Sequence, residues 1–252
     1  MTWLLTLAFD GTEYCGFQVQ PNGRSVAAAF QDALEAVIGF RPDIKGCSRT
    51  DAGVHALGFA LSFEADLRIP PEKLPLALNT KLPRDIRVLK ARVVPDGFHA
   101  RYAAHTKTYL YRIHNSAIDS PFEERYYCRI PGRLDVARMQ QAAAGFVGTH
   151  DFLALCAAHS SAAAHGDTVR TITACGVERH GDTVEITVTA DGYLYNMVRI
   201  LAGTLCEAGA GRLDPVAVPA ILASRDRKNA GPTLPAKGLF LHHVDYGKEA
   251  EG

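Results

Sequence analysis

The chain reads as an α+β protein made of two ferredoxin-like (split βαβ) halves, and three observations carry that expectation. The element order strand, helix, strand, strand, helix, strand occurs twice along the sequence. The strands alternate apolar and polar residues in the manner of mostly antiparallel sheets. At 252 residues and 47% hydrophobic content the chain has enough apolar material for one large core or two smaller ones. Two such halves would join their sheets into one extended sheet and leave a cleft between them, the usual place for a ligand. The division falls near Phe98 to Ala104, giving residues 1–103 and 104–252.

In the first half, Thr2 to Asp10 alternates as a strand, and Ser25 caps a helix that runs to about Ile38. Val26, Phe30, Leu34, Val37 and Ile38 share one face of that helix. A short strand near Ile44 to Ser48, a polar loop and a strand Leu57 to Phe63 follow. A helix opens after Pro70-Pro71 and ends before Asn79, and Ile86 to Val94 is the fourth strand. The second half repeats the order: strand Thr106 to His114, a helix from an Asp135 cap to Phe146, and a hairpin of Val169 to Arg179 and Thr183 to Ala190 turning at His180-Gly181-Asp182. A helix Tyr193 to Glu207 closed by Gly209, a short helix opened by Asp214-Pro215, and a strand Gly238 to Tyr246 complete it. Residues 157–168 are small and polar without apolar period, which predicts a loop, either closing on a large ligand or simply tolerated there.

Composition narrows the functional classes. No apolar run approaches the ~20 residues that span a bilayer, and no basic, apolar leader opens the chain, so it reads as cytoplasmic. Six cysteines stand singly, without C-x-x-C pairs or zinc spacing, as expected of reduced thiols. Lys plus Arg and Asp plus Glu both total 27, so net charge is uninformative. Local charge differs: from Lys81 to Arg112 eight basic residues face two acids, interleaved with Phe98, Tyr102, Tyr109 and Tyr111. Such a stretch is either a face that follows phosphates and stacks bases or an ordinary solvated face.

The run Cys47-Ser48-Arg49-Thr50-Asp51-Ala52-Gly53-Val54-His55 concentrates chemistry. Thr-Asp-Ala-Gly joins an Asx turn former to a residue free to take positive φ, a loop able to hold one carboxylate at a cleft mouth. Alternatively Asp51 caps its own turn and pairs with Arg49 on the surface. Tyr109 lies on a strand face with Lys107, Tyr111 and Ile113, either aimed into the cleft or packed with its hydroxyl at the rim. Arg199 borders the apolar stripe of its helix, so its head either reaches solvent or pairs with an acid, and Asp51 is the natural partner.

Six ordered motifs resemble the TruA family of tRNA pseudouridine synthases over nearly the whole chain. They are Asp10-Gly11-Thr12-x-Tyr14-x-Gly16-Phe17, Arg49-Thr50-Asp51-Ala52-Gly53-Val54-His55, Phe98-His99-Ala100-Arg101, His150-Asp151-Phe152, Asn196-Met197-Val198-Arg199 and Gly231-Pro232-Thr233-x-Pro235. The resemblance implies that Asp51 is the nucleophile, that Tyr109 stacks on the target uracil, that Arg199 is the basic partner of the aspartate and that Arg49 holds the nucleotide out of the stack. His55 and Arg101, within these motifs, are read as further substrate contacts. It also implies uridines 38, 39 or 40 of the tRNA anticodon stem-loop as targets, and a homodimer. Phe17 stands where that family usually has tryptophan, Phe59 where it has glutamine, and Asn196 where it has histidine.

Isomerising uridine breaks a bond from ribose carbon to ring nitrogen and forms one from ribose carbon to ring carbon. Redox state and composition stay the same, so no cofactor or metal is demanded. An ionised carboxylate attacks the ribose carbon or the ring, or assists departure of the base, and the sequence does not choose among these. Two other classes compete. A catalytically silent RNA-binding protein shares the element order but would carry an aromatic-rich central-strand signature that neither half has. A metal-dependent hydrolase would use Asp51, His55 and His99 or His150, a spacing that suits a helix, whereas Gly53 argues for a turn.

Overall fold

The computed structural model describes residues 1–21, 23–157 and 164–247. The chain forms two compact units, residues 106–239 and, separately, residues 1–105 together with the chain from Phe240 onward. In the first unit β1 (Thr2–Phe9) is followed by α1 (Val26–Ile38), β2 (Ile44–Gly46), β3 (His55–Glu64), α2 (Leu74–Asn79) and β4 (Ile86–Val94). β1 lies antiparallel between β3 and β4, and β2 adds antiparallel to β3. The resulting order β4-β1-β3-β2 is that of a ferredoxin-like sheet. Trp3, Leu5, Leu7, Phe59, Leu61 and Phe63 fill the core beneath α1, whose buried face is Val26, Phe30 and Leu34 with Ala27 and Ala33.

Helix α1 starts and stops where its chemistry dictates. The Ser25 side chain accepts the Ala28 N–H, and Gly39 ends the helix at φ +85°. Helix α2 is shorter than expected because residues 71–73 form a turn first, with the Lys73 N–H donating to Pro70 O, and Pro75 then fits the first helical turn.

The second unit contains β5 (Thr106–His114), β6 (Cys128–Arg129), α3 (Val136–Ala144), β7 (Gly148–Asp151), β8 (Val169–His180), β9 (Thr183–Ala190), α4 (Met197–Gly209) and α5 (Val218–Ser224). β9 sits antiparallel between β5 and β8, β7 pairs antiparallel with β8, and the short β6 runs parallel to β5. Asp135 caps α3 by accepting the Arg138 N–H. Helix α4 begins at Met197, four residues later than the apolar period predicts, because Asn196 adopts φ +61°, outside any right-handed helix. The loop expected over 157–168 falls largely outside the described residues, which omit 158–163.

The last strand, β10 (Leu239–Asp245), runs parallel to β3 through the pairs Phe240↔His55 and Leu241↔Ala56. Beyond it Tyr246 donates its hydroxyl to Ala100 O at 2.7 Å, and its ring packs on Phe98. A boundary at 103/104 assigned this strand to the C-terminal half. The contacts instead place the chain from Phe240 onward with the first unit, where it pairs with His55 and Ala56 of β3.

Candidate active site

Residues 50–54 form a turn closed by the Val54 N–H on the Asp51 carbonyl, with Gly53 at φ +75°. The loop is fastened to the segment after β1 at several points. Gly53 N–H donates to Tyr14 O, and Phe17 N–H donates to Thr50 O. Gly11 passes so close that a Cβ there would lie 2.0 Å from Val54 O, which only glycine permits. Its N–H donates to His55 Nδ1 at 3.0 Å. Asp10 Oδ1, which accepts from both the N–H and the hydroxyl of Thr12, lies 3.2 Å from the same nitrogen. Thus the motif at 10–17 and the motif at 49–55 are two sides of one rigid turn. Asp51 sits at its exposed end, half-buried.

The surrounding polar groups are structural. Tyr14 is buried, and its hydroxyl donates to Asp85 at 2.7 Å with Arg24 over the ring face. Burial first, then the Asp85 hydrogen bond and charge, raise this phenol above the ordinary tyrosine range, so it stays protonated. Cys47 is fully buried, with the Ala60 N–H directed at its sulfur. His55 is 1% exposed and stacked on Phe240 at 4.7 Å. The expectation that His55 meets substrate finds no exposed surface here; its ring fastens the loop from below.

In the second unit Tyr109 is central on β5 and 6% exposed. Tyr193 meets it edge to face, with ring centroids 4.9 Å apart at 83°. The Tyr193 hydroxyl lies 2.8 Å from both Lys107 O and Val188 O, so the ring that orients Tyr109 is itself fixed to β5 and β9.

Arg199 occupies the first turn of α4. Its Nε donates to Leu234 O at 2.7 Å and its Nη1 to Asn196 Oδ1 at 2.7 Å, while Leu234 N–H returns to Arg199 O. The segment 231–235 reaches α4 because position 203 is glycine: a Cβ would fall 1.9 Å from Pro232 O. Thr204 Oγ1 then accepts the Gly231 N–H. Sequence reasoning selected Arg199 but overlooked Asn196, Leu234 and Tyr193 as the groups that hold the candidates. For Asn196 a signal was available in its place directly before Met-Val-Arg.

Arg49 and Arg101 both line one cleft of the first unit. The basic stretch expected over 81–112 is divided between the two units. Arg87 donates to the Pro83 and Ile86 carbonyls, and Arg112, in the second unit, pairs with Glu185 at 3.0 Å. His150, one candidate for the metal reading, is directed at Val147 O. Among the described residues there is no group of three or more His, Cys, Asp or Glu that could hold a metal ion, and no described helix is long and apolar enough to cross a membrane.

The chain thus carries one carboxylate on a stiffened turn in its first unit and one arginine clamped at a helix start in its second. The family profile described as tRNA pseudouridine synthase matches residues 6–103 and 142–247. The chain belongs to that family. It is 46% identical to the tRNA pseudouridine synthase A of Moorella thermoacetica over 244 residues, 96% of this chain and 98% of the relative. Its identity to the proteins of that name from Caldicellulosiruptor saccharolyticus and Bacillus pumilus is 42%, covering 96% of this chain in each case and 98% and 97% of the relatives.

Proposed function

We propose that this chain isomerises uridine to pseudouridine in the anticodon stem-loop of tRNA, at one or more of positions 38, 39 and 40. Asp51 is the nucleophile, Tyr109 stacks on the uracil, Arg199 keeps the carboxylate ionised, and Arg49 and Arg101 contact the RNA. His55 contributes by holding the Asp51 turn. The observation that carries the reading is the double fastening of that turn: the loop bearing the half-buried Asp51 is held by hydrogen bonds to the 10–17 segment at both its backbone and the His55 ring.

The reaction needs the carboxylate as an anion, to attack the ribose carbon or the ring or to assist departure of the base. The detached ring must rotate in place and rejoin through its carbon, so it has to be gripped and kept from water. A tyrosine face supplies the platform, and a fixed guanidinium favours the ionised aspartate. The target uridine leaves its stack at a cost of roughly a few kcal/mol, offset by phosphate contacts that weaken with salt. No redox change occurs, and the chemistry calls for no cofactor. We further propose a homodimer in the cytoplasm, a reading supported by the family resemblance.

The test uses unmodified tRNA tritiated at C5 of uracil, since that hydrogen is lost when the new bond forms. The protein should release label at the same rate with or without chelator. Asp51→Asn should lower release by about 10³-fold or more while still binding tRNA. Sustained release by Asp51→Asn would remove the aspartate from the mechanism, and loss of release with chelator would favour a metal-dependent reaction.

A further inference from the structure

The first unit has a cleft of about 410 Å³ whose walls include Phe17, Lys45, Arg49, His99, Arg101 and Tyr102. Its floor is stiff and apolar: Phe17 stacks on the fully buried Phe59 at 4.3 Å. Its rim is aromatic and exposed. Tyr102 leaves 77% of its surface in solvent, and the His99 ring lies 4.3 Å from it at 37°. An exposed ring costs little to bury, and a π-face beside cations suits an unstacked base.

The rim is built in advance. His99 O accepts from the N–H groups of both Tyr102 and Ala103, and His99 Nδ1 accepts from Arg101 N–H. Ala100 anchors this turn to the core, donating to Ser62 Oγ and accepting from Tyr246. Burial, reinforced by the charge of Lys45 and then Arg101, holds the imidazole below the usual histidine range, so it is uncharged at neutral pH. Three cations line the cleft against one acid, Asp43, which pairs with Lys45.

We infer that this cleft is a subsite for one unpaired nucleotide of the RNA, its base on the outer face of Tyr102 and its phosphate between Arg101 and Lys45. The inference rests on the proposed action on tRNA and specifies where that RNA is gripped apart from the target uridine. Recognition is by stacking and charge, so the subsite tolerates any base.

The experiment measures tRNA affinity by anisotropy at several salt concentrations, alongside tritium release. Tyr102→Ala should weaken binding about tenfold, the effect of one stacked base, and Tyr102→Phe should restore it. Arg101→Ala should lower the slope of log affinity against log salt by about one phosphate contact. Both variants should keep the wild-type melting temperature. Unchanged affinity in Tyr102→Ala, or equal weakening in Tyr102→Phe, overturns the subsite. Uridine 5′-monophosphate as competitor separates an RNA segment from a free nucleotide. Displacement of tRNA by micromolar nucleotide would assign the cleft to the free nucleotide and overturn the inference, whereas none is expected. Asp51→Asn, run in parallel, keeps the two claims apart: a dead Asp51→Asn beside an indifferent Tyr102→Ala leaves the isomerase standing and removes only the subsite.

Discussion

Asn196 carries two tasks in one side chain. Its φ of +61° is a conformation asparagine tolerates better than most residues, and its amide oxygen accepts a hydrogen bond from Arg199 Nη1. Glycine at this position would keep the backbone and lose the acceptor. Asn196→Gly should therefore lower kcat about tenfold with KM for tRNA nearly unchanged, and Asn196→Asp should recover most of it. A fall in melting temperature without the kcat effect would reduce Asn196 to a structural residue. The other two departures from the family pattern explain each other: Phe17 and Phe59 stack, and Phe9 packs on Phe59 as well. Phe59→Gln would leave an amide unpaired in a fully buried site, and denaturant titration should show a loss of about 3 kcal/mol.

At the scale of the element, helix ends and inter-element clamps set stability and function separately. Ser25→Ala removes the cap of α1 and should cost about 1 kcal/mol in urea unfolding without altering turnover. Gly203→Ala acts on the clamp over α4: the new methyl meets Pro232 O, which pushes segment 231–235 away and takes the Leu234 carbonyl from Arg199. Its turnover should drop more than Ser25→Ala, and its stability at least as much. How much of this was legible depended on whether the cause was local. The Ser25 cap and strands β4 and β5 follow from neighbouring residues, and the sequence boundaries match the observed ones. Strands β6 and β7, two and four residues long, are too short to show a period. The late start of α4 escaped because Tyr193 and Leu194 continue the apolar stripe, while the break is a single backbone angle at Asn196. The Asp51 turn was readable from Thr-Asp-Ala-Gly, but its fastening to Gly11 joins residues 44 apart, and local pattern carries no record of that bond.

At the scale of the whole molecule, the path of the chain is the informative feature. The second unit is one continuous stretch, whereas the first draws β10 from the far end of the sequence. Deleting the chain from Phe240 onward should therefore weaken the unit from which it is remote in sequence. Hydrogen exchange should speed up in β3 and in the turn that His55 supports, where Phe240 covers the imidazole. Equal loss of protection in both units would show that they unfold together. Since a ribosome delivers residues in order, and domains generally fold as units, the half that emerges first is the half completed last. Nascent chains should thus hold the Asp51 turn unfinished until the segment from Phe240 has emerged, and a message truncated before it would yield a protein with a sound distal unit and His55 and Ala56 of β3 left without their strand partner.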